Sequence, residues 1–185
     1  MSSSSLGIPV FVVVAFLTTV SALSTGSTQV PDAIAAPGEA PVATVHAQGA
    51  QVYECMADPA GTLVWRFREP IATLLLDGKT VGRHYAGPSW ELADGSAVTG
   101  KVAGRAPGAT PNDIPLLKLE VTSQRGAGRL TGVTTIQRLN TRGGTADRLC
   151  APAGAFLSVP YSADYAFYKK GESTTASSSA AARQD

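Results

Sequence analysis

Hydrophobic and polar side chains alternate with a period of two through most of the middle of this chain. In Leu63-Val64-Trp65-Arg66-Phe67-Arg68, Leu63, Trp65 and Phe67 fall on one face and both arginines on the other. That is the pattern of a strand buried on one side. Leu117, Leu119 and Val121 alternate with Lys118, Glu120 and Thr122 in the same way, and Gln51–Cys55 and Tyr165–Tyr168 are shorter examples. Between such runs sit Asp77-Gly78, Asp94-Gly95 and Gly126-Ala127-Gly128. Asp-Gly supplies the positive φ angles of tight hairpin turns. Strands recurring at this spacing predict a single all-β domain, an antiparallel β-sandwich or barrel. No long amphipathic helix is legible. A short one around Ala106–Asp113 competes with a loop, which Pro107 and Pro111 favour.

The pattern changes at both ends. Leu6–Leu17 (LGIPVFVVVAFL) is an uncharged apolar run followed by Thr18-Thr19-Val20-Ser21-Ala22. Its length suits a signal-peptide h-region, and Val20 and Ala22 fit a small-residue cleavage site, so residues 1–22 are read as an export leader. The first basic side chain of the chain is Arg66, so only the α-amino group supplies positive charge at the start. An uncleaved anchor over Leu6–Leu23 is the competing reading, but a stable span needs about 20 predominantly apolar residues and this one is interrupted by Gly7, Pro9, Thr18, Thr19 and Ser21. Residues 23–41, rich in Ser, Thr, Ala, Pro and Gly, read as a flexible linker or a loosely docked arm. Residues 42–170 form the β domain. Residues 171–185 (GESTTASSSAAARQD) cannot bury enough apolar surface to offset their ordering entropy and read as a disordered tail. The expected location is exported, periplasmic or extracellular, with no stable membrane span after cleavage.

Net charge is +1, too small to imply nucleic acid as a partner. Arg125, Arg129, Arg138, Arg142 and Arg148 crowd one stretch against a single acid, Asp147. They form an anion-binding face only if they converge on one side; otherwise they are solvated surface. Cys55 and Cys150 are the only cysteines, and an even pair in an exported chain most simply forms one disulfide. It would close a loop of about 95 residues, worth about 4–5 kcal/mol in the chain-entropy description. There is no Cys-x-x-Cys, the histidines are His46 and His84 alone, and no acidic loop resembles an EF-hand, so neither metal nor cofactor is expected.

The densest polar and aromatic cluster is His84-Tyr85-Ala86-Gly87-Pro88-Ser89-Trp90 with Asp94-Gly95-Ser96. A His near an Asp can run acid–base chemistry, and Trp90 can stack on a sugar or another ring. The plainer reading makes Gly87-Pro88 and Asp94-Gly95 turns and Trp90 a core anchor. Neither Ser89 nor Ser96 has the flanking glycines of a nucleophile elbow. A second cluster, Gln137-Arg138-Leu139-Asn140-Thr141-Arg142-Gly143-Gly144, suits a side-chain-bonded turn at a strand end. Its backbone N–H groups beside Arg138 and Arg142 could also cradle an anion, though it lacks every P-loop feature. In a third, Tyr165 and Phe167 share a core face, leaving Tyr161 or Tyr168 to reach a surface. Asp77, Glu91, Asp94, Asp113, Glu120, Asp147 and Asp164 could include a glycosidase pair only if two stand about 5–10 Å apart.

Several of these segments, in this order, resemble the secreted domain-of-unknown-function family 3455, from about Gln51 to Tyr168. The resemblance rests on Tyr53-x-Cys55, His84-x-x-Gly87-Pro88-x-Trp90, Asp94-Gly95-Ser96 and Ile114-Pro115-x-Leu117, with Leu116 standing where the family pattern has Trp. It continues through Gln137-Arg138-x-Asn140-Thr141-x-Gly143-Gly144, Cys150 and Pro160-Tyr161-x-Ala163-Asp164-Tyr165-x-Phe167-Tyr168. It implies export and a Cys55–Cys150 pair, and no catalytic role. The reading with most support is therefore a non-catalytic domain binding an extracellular or envelope ligand, a glycan or an anion. The candidate contacts are His84, Trp90, Asp94, Arg138, Asn140 and Arg142. The alternatives are a secreted hydrolase or lyase using His84 with a nearby carboxylate, and a carrier of a hydrophobic ligand, which requires an apolar cavity inside the barrel.

Overall fold

A computed structural model of the chain describes residues 30–146 and 149–171. Its strands are β1 (Glu39–Ala57), β2 (Leu63–Leu76), β3 (Lys79–Tyr85), β4 (Ser89–Leu92), β5 (Ala97–Ala106), β6 (Leu116–Arg125), β7 (Thr135–Gly143) and β8 (Phe156–Lys170). Each pairs antiparallel with the next, and β8 pairs with β1 to close the sheet into a barrel. Closure leaves no sheet edge exposed and decides between the two expected architectures in favour of the barrel.

The turn residues act as their chemistry dictates. Asp77 (φ 50°) and Gly78 (φ 74°) both adopt positive φ and make the two-residue β2–β3 hairpin, and Gly95 (φ 86°) turns β4 into β5. Residues 107–115, between β5 and β6, carry no helix. The Asn140–Gly144 stretch is not a terminal turn throughout. Asn140 (φ 50°) is a bulge inside β7, where the register with β8 slips between Leu139 and Arg142, and Gly143-Gly144 then ends the strand.

Because side chains alternate along each strand, one set from every strand fills the barrel. Val45, Ala47, Leu74, Trp90, Val98, Leu119, Ile136, Ala163, Tyr165 and Phe167 belong to one apolar core. At one end, here called the base, the β6–β7 connection adds Leu130 and Val133 to that core. The other end, the mouth, gathers the β1–β2, β3–β4, β5–β6 and β7–β8 connections. There the Gly143 N–H donates to Asp113 Oδ1 at 2.6 Å and the Ile114 N–H to the Gly143 carbonyl at 2.9 Å, joining two of those connections. Cys55, near the end of β1, is bonded to Cys150 in the β7–β8 connection, with Cα atoms 5.6 Å apart.

Residues 30–41, expected as part of a flexible linker, hold structure of their own. Asp32–Ile34 form a 3-10 turn, Ile34 is fully buried, and β1 already begins at Glu39. The buried Gln137 amide donates to the Ile34 carbonyl at 2.6 Å, and Lys118 Nζ donates to the Ala35 carbonyl at 2.9 Å. Gly104 faces the Ala33 carbonyl so closely that a Cβ would collide with it. One apolar anchor and two satisfied carbonyls fix a segment whose composition alone reads as linker. The expected leader (1–22), the remainder of the expected linker (23–29) and residues 172–185 of the expected tail lie outside the described residues.

Candidate functional site

The barrel is filled at its base and hollow toward its mouth. A cavity of about 350 Å³ opens there, walled by Val102, Leu117, Leu119, Trp90, Tyr165 and His84, with Phe67, Arg105 and Arg138 also lining it. Phe67, on β2, is half-exposed and makes an edge-to-face contact with Tyr53, ring centroids 5.8 Å apart. The expected half-buried face of β2 is therefore only partly realised, because its outer end lies at an open mouth.

His84 and Trp90 are directly paired across β3 and β4. Both are buried, and their rings stack with centroids 4.4 Å apart and planes 11° from parallel. Tyr165 closes the aromatic group, 4.8 Å from His84 and 5.1 Å from Trp90 between centroids. His84 Nδ1 lies 2.8 Å from the Ser89 carbonyl oxygen. A carbonyl can only accept, so Nδ1 carries the proton and Nε2 presents a lone pair. Burial lowers the pKa of His84 to about 3, with the Ser89 contact opposing and nearby Arg138 reinforcing the shift. The imidazole is neutral at any physiological pH.

Several polar groups are buried behind this wall. Trp90 Nε1, the Tyr165 hydroxyl and the Gln51 amide nitrogen are buried without a partner, and the same holds for Tyr161, whose side chain lies beside Tyr165 and Gln51. Burial raises the pKa of both tyrosines, so they remain protonated donors. A buried polar group without a partner costs about 1–3 kcal/mol. Gln51, Tyr161, Tyr165 and Arg138 lie close enough to act on one another. Arg138 is anchored at the rim, its Nε and Nη2 donating to the Pro115 carbonyl at 3.0 and 2.8 Å. Among the described residues neither Arg138 nor Arg105 has an acidic partner, and no carboxylate lines the cavity.

The six sequence candidates do not converge. His84, Trp90 and Arg138 meet at the cavity. Asp94 sits in the β4–β5 turn at the base, where the Arg129 N–H, the Ser96 N–H and the Ser96 hydroxyl donate to it and hold its pKa below the usual carboxylate range. Asn140 lies on the outer surface with its amide on Asp164 at 2.8 Å, beside an open groove of about 440 Å³ that Pro31 and Pro107 also line. Arg142 is exposed. A His84–carboxylate dyad is not assembled, since the histidine's partner is a backbone carbonyl and Asp94 is at the other end of the barrel.

Among the described residues the arginines of that stretch do not form one face; Arg148, like Asp147, lies outside the described residues. Arg125 pairs with Glu91 at 2.6 Å on the outer surface beside Arg83, Arg129 is at the base and Arg138 is in the mouth. Of the two tyrosines left for a surface role, Tyr161 is buried inward and Tyr168 is the more exposed. Composition and spacing did not single out Gln51, Tyr53, Val102 or Arg105. Only the alternation of each strand, read with the correct bulges, would have turned them inward.

Neither curated proteins nor solved structures yield a match to this chain. A family model, described as a protein of unknown function (DUF3455), matches residues 36–79 and 75–169, from the first residues of the docked arm's exit to the end of β8. The aromatic trio, the rim arginine and both cysteines all lie within those matches, and the chain belongs to the DUF3455 family.

Proposed function

We propose that this protein is an exported, non-catalytic binding domain that takes a small organic ligand into the mouth of its barrel. The observation that carries this reading is a largely apolar cavity, open at the mouth, with an aromatic wall and two arginines among its lining residues. Its volume falls at the lower end of the range for small-molecule sites. Trp90, Leu117, Leu119 and Val102 offer an apolar seat, while Arg138 and Arg105 offer donors and His84 Nε2 an acceptor. A neutral imidazole with so low a pKa is a weak base, and tyrosines with raised pKa values are weak acids. The wall is thus chemically suited to holding a ligand rather than to moving protons. The disulfide is compatible with an oxidising compartment outside the cytosol. No helix among the described residues is long and apolar enough to cross a membrane.

The test is titration of the full chain with 2-naphthamide, a neutral compound with an apolar body, an acceptor and a donor, followed by calorimetry and by Trp90 fluorescence in a Trp65→Phe background. Saturable binding is expected, with Val102→Trp, which fills the cavity, weakening it by roughly tenfold or more. Phe156→Ala, an exposed residue outside the cavity, should leave it unchanged. Absence of saturable binding by this compound and by a panel of one- and two-ring compounds would overturn the reading, as would equal binding to Val102→Trp.

A further inference from the structure

Resting on the cavity reading, we propose that the ligand is an organic acid, its apolar body among Trp90, Leu117 and Leu119 and its carboxylate held at the rim by Arg138 and Arg105. Two arginines line one cavity of modest size, and no aspartate or glutamate lines it. Arg105 is exposed and Arg138 half-buried, so both guanidinium groups stand at the rim, where the charged end of a ligand would reach them. Arg138 is also pre-organised. Two of its three nitrogens grip the Pro115 carbonyl, so the guanidinium plane is fixed before any ligand arrives and Nη1 has no hydrogen bond among the described residues. A fixed guanidinium loses little side-chain entropy on binding and presents the planar fork that suits a carboxylate.

The surrounding groups agree in sign. Arg138 acts electrostatically on Tyr53, His84, Tyr161 and Tyr165, which places it centrally among the polar groups of the mouth. A carboxylate has four acceptor sites, enough to take donors from both guanidinium groups. The Tyr53 hydroxyl, by contrast, is already committed to the Gly144 carbonyl at 2.6 Å and holds the rim in place. With the donors in excess and both formal charges positive, an anion complements this wall better than a cation or a neutral hydrocarbon.

Matched ligands separate the acid proposal from the cavity reading. Calorimetric titration of the full chain with 2-naphthoate and with 2-naphthamide compares the same ring system with and without a charge. The carboxylate is expected to bind roughly tenfold tighter or better at low salt. Arg138→Gln and, independently, Arg105→Gln should each narrow the ratio of acid to amide affinity, with both ligands titrated on each variant, and Arg138→Lys should restore part of it. Arg105 makes no hydrogen bond among the described residues, so its variant tests the proposal even if loss of the Pro115 contact disturbs the Arg138 variant. Equal affinity for acid and amide, or a preference untouched by both glutamine variants, would overturn the acid proposal and leave the cavity reading standing. Failure of both ligands to bind would overturn the two together.

Discussion

His84 shows how one residue's chemistry follows from its placement. In the sequence it was a candidate acid–base group; in the barrel it is a flat, neutral, stacked wall element whose single proton is spoken for by Ser89. Its pKa, lowered to about 3 from an ordinary 6.5, makes stability depend on pH. Above pH 6.5 the ring is neutral in both folded and unfolded chains and contributes no pH dependence. Below that, the unfolded chain takes up a proton that the folded chain refuses, so folding loses stability as pH falls, down to about pH 3 where the folded ring also protonates. The slope from this residue approaches about 1 kcal/mol per pH unit within that window. Denaturant unfolding at pH 7 and pH 4.5 should therefore show a larger loss for the wild type than for His84→Gln, which lacks the titrating ring. Identical pH dependence in the two proteins would remove this account of the histidine.

At the scale of elements, the disulfide and the β-connections define the mouth. The Cys55–Cys150 bond joins β1 to the β7–β8 connection, which also touches β5–β6 through Gly143, Asp113 and Ile114. Replacing both cysteines by alanine is expected to cost about 2–5 kcal/mol in unfolding free energy. The same variant should weaken cavity ligands, because the rim that carries Arg138 and Pro115 is then tied less firmly. A melting temperature unchanged within error would contradict this. The strands and this pairing were legible because period-two alternation, Asp-Gly turns and a lone cysteine pair each depend on local chemistry. The closure was not, since a sandwich and a barrel share that alternation. Asp94 and His84 looked adjacent in sequence because they are ten residues apart, yet β4 carries the chain from mouth to base between them. Arg138 and Arg142 looked like partners on alternate positions until the bulge at Asn140 set them apart. Linker and docked arm could not be told apart in the sequence because Ile34 is the one strongly buried side chain of the segment, too sparse a signal for any periodicity.

For the molecule as a whole, the direction of the strands separates the cavity from the end of β8. The eight strands alternate direction around the barrel, so β1 starts and β8 finishes at the base, where Glu39 pairs with Lys170. The cavity opens at the opposite end, among Phe67, Ile114, Pro115 and Arg138. The chain after β8 therefore leaves the barrel at the base, whereas the arm before β1 runs back along the outer wall, with Pro31 beside Pro107 near the mouth. Appending a folded domain after Asp185 should change 2-naphthamide affinity by no more than about twofold, because the addition enters where few contacts cross. A short insertion after Asn112, in the β5–β6 connection, lies beside Asp113 and Ile114 and should weaken the same ligand severalfold while leaving the far-ultraviolet circular dichroism of the barrel intact. If the terminal fusion weakens binding and the mouth insertion does not, the ligand enters at the base, beside Asp94 and Arg129, and the polarity of the barrel is the reverse of the one argued here.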